Sequence, residues 1–152
     1  MSFDNVSDRL YGGSDKPKRE EKTGSCCFRR KEHLKGRKEI RRVFSEGRRY
    51  NCHLPDGCGS RLFVLKNDLP YYRICFTFSR GSHRFFNAVS RNRVKRLDRE
   101  VFRLLKGCFV DASVNGGFDF ILLVYPQTGK PVTLSERKDQ LEFLFKKAGL
   151  LK

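Results

Sequence analysis

The stretch Asn87–Lys106 reads NAVSRNRVKRLDREVFRLLK, and the other segments are best read outward from it. At 100° per residue, Val94, Leu97, Val101, Leu104 and Leu105 fall on one arc of a helix. Asn92, Lys95, Arg96, Arg99, Arg103 and Lys106 fall on the opposite arc. Within that arc Asn92, Arg96, Arg99 and Arg103 follow the spacing i, i+4, i+7, i+11, so they point the same way. Arg93 and Glu100 lie at its edge, with Glu100 in reach of Arg96 or Arg103. Surface helices ordinarily interleave signs, because like charges one turn apart repel. Here the cations are massed, and most are Arg, whose planar fork grips phosphate oxygens in pairs. The expectation is a helix whose apolar arc packs on a sheet and whose polar arc meets a polyanion. A merely solvated charged face is the plainer alternative.

The segments on either side supply that sheet. Upstream, Leu34, Ile40, Val43 and Phe44 give an apolar stripe at helical spacing among Arg37, Lys38, Arg41 and Arg42, with Gly47 as a C-terminal cap. A short strand is expected at Arg48–His53, a loop at 54–60, and strands at Arg61–Lys66 and Tyr72–Arg80. In the last of these, Tyr72, Ile74, Phe76 and Phe78 alternate with Arg73, Cys75, Thr77 and Ser79. Downstream, Phe118–Tyr125 (FDFILLVY) is a near-continuous apolar run, as in a strand covered on both faces. Thr133 and Glu136 form a capping box before a helix carrying Leu141, Leu144, Phe145 and Ala148, which Gly149 ends. The order is helix, two or three strands, helix, strand, helix: an α+β or α/β sandwich with helices packed on one sheet. Residues 1–27 are polar and aperiodic and are expected to form a disordered tail, leaving 28–152 as the folded domain.

The 152-residue chain has 33 Lys+Arg against 17 Asp+Glu, a net charge of +16. Such an excess repels itself unless an anionic partner neutralises it, and nucleic acid is the partner that phosphate chemistry favours. A membrane is the weaker candidate, since no apolar run approaches the ~20 residues a spanning helix needs. The first residues lack the apolar core of a signal peptide, which points to the cytoplasm. The six cysteines contain no CxxC pair, and Cys52, His53 and Cys58 match no standard zinc spacing, so inert, buried thiols are expected. No paired carboxylates fall in a readable constellation, and His33, His53 and His83 are scattered through basic or loop segments. Catalysis by the protein's own side chains is therefore not expected.

One resemblance is specific. Asn87-Ala88-Val89, Arg91-Asn92-Arg93, Lys95-Arg96 and Arg99-Glu100 through Phe102 are similar to the signature N-A-V-x-R-N-R-hydrophobic-K-R-x-x-R-E/Q-x-F of the bacterial ribonuclease P protein family. Val43-Phe44-Ser45-Glu46-Gly47 resembles the end of that family's first helix, and the likeness extends over about residues 29–152. It implies a compact domain of order αβββαβα on a mixed sheet, with a left-handed crossover through the signature helix. It implies that Arg91, Asn92, Arg93, Lys95, Arg96, Arg99 and Arg103 contact a large catalytic RNA. It also implies that precursor tRNA enters with its 5′ leader in a cleft between the first helix and the sheet, at positions matched here by Phe44, Ile40, Lys66 and Phe76. The catalytic Mg²⁺ would be held by the RNA, so that the protein assists an endonuclease without cutting by itself. The chain departs from the family at Ile40, where a second aromatic is common, and at Lys66, where some members have Tyr. The loop 80–86 is longer, and Asp98 replaces an apolar or neutral residue. A free-standing structural RNA-binding protein of ribosomal-protein-like fold is the alternative. A DNA-binding regulator is disfavoured by the absence of a helix-turn-helix or heptad pattern.

Overall fold

The computed structural model describes residues 27–53, 59–84, 87–125 and 132–152. Residues 1–26, and with them nearly all of the expected tail, lie outside the described residues, as do 54–58 and the loop 126–131. The elements are helix α1 (Arg37–Glu46), strands β1 (Arg48–His53), β2 (Gly59–Lys66) and β3 (Arg73–Phe78), helix α2 (Ala88–Leu105), strand β4 (Phe118–Tyr125) and helix α3 (Leu134–Lys147). This is the expected α+β order αβββαβα. Single helical turns at Arg30–Glu32, Ser82–Arg84, Lys106–Cys108 and Ala112–Asn115 decorate the connections.

The strands form one mixed sheet in the order β1-β2-β4-β3. β2 is antiparallel to both β1 and β4, and β3 runs parallel to β4, so α2 is the crossover between two adjacent parallel strands. β4 is interior and covered on both faces, which is why its sequence is a nearly unbroken apolar run. Phe120 and Leu122 face one layer together with Leu62 and Val64 of β2, Ile74 of β3, Val101, Phe102 and Leu105 of α2, and Leu141, Leu144 and Phe145 of α3. Ile121 faces the other layer with Phe63 of β2, Val43 of α1 and Leu34 of the segment before α1, and is flanked by Ile40, Phe44, Cys75 and Leu123. The sheet thus separates α2 and α3 on one side from α1 on the other. Burying large side chains such as Phe102, Phe120 and Phe145 without residual exposure stabilises by roughly 1.5–3 kcal/mol each.

The caps follow local chemistry. The Asn87 side chain accepts from Ser90 N at 2.8 Å, so the first residue of the signature is the N-cap of α2. Thr133 and Glu136 close the capping box of α3. At its other end Gly149 takes φ +73°, and Leu150 N bonds back to Phe145 O at 3.0 Å while its side chain enters the core. Gly47 ends α1 for a different reason: its backbone is extended, but a Cβ there would stand 2.4 Å from the Val43 carbonyl.

Two expectations need correction. The buried arc of α2 is Val94, Asp98, Val101, Phe102 and Leu105, whereas Leu104 is 44% exposed and Leu97 only half-buried. The helix is rotated toward Phe102, which meets an aromatic cluster of Phe28, Phe109, Phe120 and Phe145. The thiols also differ: Cys27 and Cys108 are exposed and Cys52 and Cys75 half-buried, so none of the four described cysteines is fully enclosed.

Candidate nucleic-acid interface

The rotation of α2 leaves its cationic arc in solvent. Asn92, Arg93, Arg96 and Arg99 are exposed, and Arg91 and Lys95 half-exposed. Lys95 reaches back over the Phe78 ring, 5.9 Å from its centroid, so the arc begins where β3 ends. Arg103 differs from the rest: its Nε donates to Glu100 at 2.9 Å, and this bond holds the Glu100 carboxyl below its usual range. Its charge is already engaged. The signature therefore presents a graded surface, most open near its N-terminus and partly neutralised near Arg103.

At that open end Arg91, Asn92 and Lys95 join Thr77, Ser79, Arg80 and Ser82 around an open cleft of about 610 Å³. Hydroxyls and cations converging on one cleft suit phosphate oxygens, the former as neutral donors and the latter as charge-assisted ones. Thr77, Ser79, Arg80 and Ser82 were not singled out as site residues from the sequence. The period of two in β3 places Thr77, but the return of the loop onto α2 has no sequence signal.

Beneath the arc a polar cluster anchors α2. Asp98, with no exposure, accepts from Arg137 Nε of α3 at 2.7 Å. Arg137 Nη1 donates to Ser60 Oγ of β2 at 2.9 Å and to Gln140 Oε1 at 2.6 Å. Burial pushes the Asp98 carboxyl up from its ordinary value, and the Arg137 contact offsets part of that rise. Asp98, one of the chain's departures from the family pattern, is thus the residue through which the signature helix is tied to both α3 and the sheet. Its partner Arg137 is buried on α3 together with Leu141, Leu144 and Phe145, the face read from the sequence.

The four residues assigned to a leader cleft are not brought together. Ile40 and Phe44 lie on the underside of α1, with the Phe44 ring edge-on to Phe63 at 4.8 Å between centroids. Phe76 faces the opposite side of the sheet, against Phe28 and the α2 layer. Lys66, exposed at the end of β2, continues the alternation of Leu62 and Val64 on that same opposite side and lies against Gly116. The surface beside Phe44 is instead floored by Asn51, Arg61, Leu123 and Thr77, which register across β1, β2, β4 and β3. Arg61 is held there by Asn51 Oδ1 at 2.6 Å and lies over the Tyr125 ring at 5.5 Å. The alternation of Arg61, Phe63 and Leu65 against Leu62 and Val64 is visible in the sequence, but which face α1 covers is not.

Other parts of the molecule hold these surfaces in place. Arg73 pairs with Asp119 through two bonds of 2.8 and 2.6 Å and with Glu39 of α1 at 3.0 Å, fastening α1 to β3 and β4. These acceptors raise the Arg73 pKa further. The segment before α1 docks beside α2, where Phe28 packs on Phe102 and the buried Glu32 pairs with Lys106. The His33 ring lies tilted against Phe28, 4.1 Å between centroids, and burial, with Lys35 and Arg99 nearby, lowers its pKa. Among the described residues no helix is long and apolar enough to cross a membrane.

A family model described as Ribonuclease P matches residues 28–149. The ribonuclease P protein component of Natranaerobius thermophilus is 38% identical over 120 residues, which cover 78% of this chain and 90% of the relative. That of Borrelia garinii is 36% identical over 96 residues, covering 60% of this chain and 81% of the relative. Among solved structures, the RNase P protein of Staphylococcus aureus superposes with a TM-score of 0.63 at 21% identity, over 80% of this chain and 98% of that one. The RNase P protein of Thermotoga maritima gives 0.59 at 26% identity, over 76% and 96%.

Proposed function

Because the chain belongs to the ribonuclease P protein family, the protein component of an endoribonuclease ribonucleoprotein, we propose that it binds the catalytic RNA of ribonuclease P through the α2 arc. It then assists removal of the 5′ leader from precursor tRNA. The observation that carries this reading is the row Arg93, Arg96 and Arg99, exposed on a helix whose other side is locked into the core. A row so fixed costs little further ordering when it meets phosphates, and each neutralised phosphate releases condensed counterions.

The donor set suits a division of labour. Guanidinium and ammonium groups attract phosphate and repel a divalent cation, so Mg²⁺ for the cleavage step falls to the RNA, where it supplies the metal chemistry of phosphodiester hydrolysis. The protein's residues hold the polyanion and reduce repulsion between the catalytic RNA and its substrate. The leader runs over the floor beside Phe44, where Arg61 and Tyr125 offer a cation and a ring face to an unpaired base. Phe76 packs in the α2 layer and Lys66 is exposed on that same far side of the sheet, so neither lines this floor.

The test is cleavage of a precursor tRNA in Mg²⁺ by the protein alone, by a bacterial ribonuclease P RNA alone, and by both. The reading expects no cleavage by the protein alone and a lower Mg²⁺ requirement for the RNA when the protein is added. Nuclease-resistant cutting by the protein alone overturns it. High-affinity RNA binding with no effect on the ribozyme indicates a structural RNA-binding protein instead.

A further inference from the structure

The α2 arc is not the only row of exposed cations among the described residues. On α1, which lies across the opposite face of the sheet, Arg37, Lys38, Arg41 and Arg42 are all exposed, and Lys35 and Arg48 are exposed at its two ends. Of these, Arg42 is paired, with Glu46 at 3.2 Å. The remaining acid of the helix, Glu39, is turned to Arg73. Arg37 and Arg41 stand one turn apart, as do Lys38 and Arg42, so like charges repel at i,i+4 along the whole helix. Such a row destabilises an isolated helix. Here α1 is held by Val43, Ile40 and Phe44 beneath it and by the Arg73 bridge at its flank, which leaves the outer face free to stay cationic.

We infer that the outer face of α1, continued by Arg48, is a second binding surface for double-helical RNA, separate from the α2 arc. A single protein then engages two RNA helices at once. The inference rests on the α2 arc being an RNA contact, and adds a surface on the other side of the molecule. Three features favour a duplex backbone over a single strand. The row is convex and exposed, it carries no aromatic ring on its outer face for an unpaired base to stack on, and its charges repeat at each helical turn of about 5.4 Å. Arg predominates, which suits phosphate more than a diffuse anionic surface. Because α1 and α2 are separated by the sheet, a helix bound on one leaves the other open.

The experiment uses the full chain and a blunt RNA duplex about one turn long, too short to wrap the protein. Wild type should bind two duplexes, and should bring a donor-labelled and an acceptor-labelled duplex together in energy transfer. The variant Arg37→Gln/Lys38→Gln/Arg41→Gln should bind one, lose the transfer signal, and show a salt slope lower by up to about 2.7, at 0.9 per lost contact. If it melts early, the single changes carry the same test, each lowering the slope by up to about 0.9. The variant Arg93→Gln/Arg96→Gln/Arg99→Gln should also bind one. If this second variant still binds two, the α2 reading fails while the α1 surface stands. One duplex on wild type, or unchanged transfer in the α1 variant, overturns the inference. So does capture by phosphatidylserine vesicles that the α1 variant loses while keeping two duplexes, which would assign the face to a membrane.

Discussion

Replacing Asp98 with Asn tests whether the signature helix is anchored by charge. Arg137 has 3% of its side chain exposed and Asp98 1%, so the substitution strands a guanidinium among Ser60, Gln140 and the sheet. Breaking a buried pair at one partner costs about 3–5 kcal/mol, because the remaining charge cannot recover its hydration. At about 4 °C per kcal/mol for a domain of this size, the melting temperature should fall by roughly 12–20 °C. A companion variant, Asp98→Leu/Arg137→Met, removes both charges. Such swaps are often neutral or stabilising by 1–4 kcal/mol, but this one leaves Ser60 Oγ and Gln140 Oε1 without their donor at about 1–3 kcal/mol for each. The double variant should therefore recover most of the loss without exceeding wild type by much. Urea titration followed by circular dichroism measures both, and the slope with denaturant should stay constant if only stability changes. A D98N protein that melts within about 2 °C of wild type would refute the reasoning. It would mean that burial, which pushes the Asp98 carboxyl up, has overcome Arg137 and left the acid neutral in the native state.

Further expectations concern binding and pH. With Arg91, Arg93, Lys95, Arg96 and Arg99 each on one phosphate, affinity for the catalytic RNA should fall by about 500-fold between 50 and 200 mM salt, and Arg96→Ala should lower the log–log slope by up to about 0.9. Glu100→Gln should raise affinity by releasing Arg103, and Arg103→Ala should cost less than Arg99→Ala; the reverse order would show that the Glu100 contact leaves the Arg103 charge available. Phe44→Ala should weaken precursor tRNA more than mature tRNA, by about 1–3 kcal/mol if one leader base stacks there; equal losses with a lowered melting temperature would assign Phe44 to the core alone. His33 has its pKa lowered in the fold, so the native state binds fewer protons than the unfolded chain near that value. Its contribution is complete above about 6.5 and is lost as pH falls through the native value, because burial disfavours the imidazolium, with Lys35 and Arg99 reinforcing and Glu32 opposing. The stability gap between wild type and His33→Gln should accordingly narrow from pH 7.5 to pH 5.5 in thermal melts, and a constant gap would count against the assignment.

The legible part of the fold is the part governed by local periodicity. The strand FDFILLVY declared itself interior because both of its faces are apolar, and Thr133-x-x-Glu136 and Gly149 marked the ends of α3 through short-range hydrogen bonds. What escaped was azimuth and partnership. Leu104 and Phe102 are both apolar and 200° apart on the helix, and only the distant Phe28, Phe109 and Phe145 decide that Phe102 turns inward. Phe76 shares its alternation with Ile74, which suits either face of a sheet until the side taken by α1 is known. Nothing near Arg137 in sequence signals its burial, because its partner Asp98 lies 39 residues earlier.

The same pair bears on how the arc can work at all. Apolar packing alone fixes the azimuth of the row Arg93, Arg96 and Arg99 only weakly, because Leu97 and Leu104 stand at the edge of the buried arc and could replace part of it. Asp98 lies between Lys95 and Arg99 on the opposite side of the helix from Arg96, and its single bonded partner comes from α3. A rotation that brought Leu104 inward would draw Asp98 off Arg137 and leave both charges buried and unpaired, the costliest defect available to this core. An apolar residue at position 98 would tolerate that rotation. The acid that looked like a departure from the family pattern thus sets the direction in which the arginines face, and it does so from a buried position beneath them.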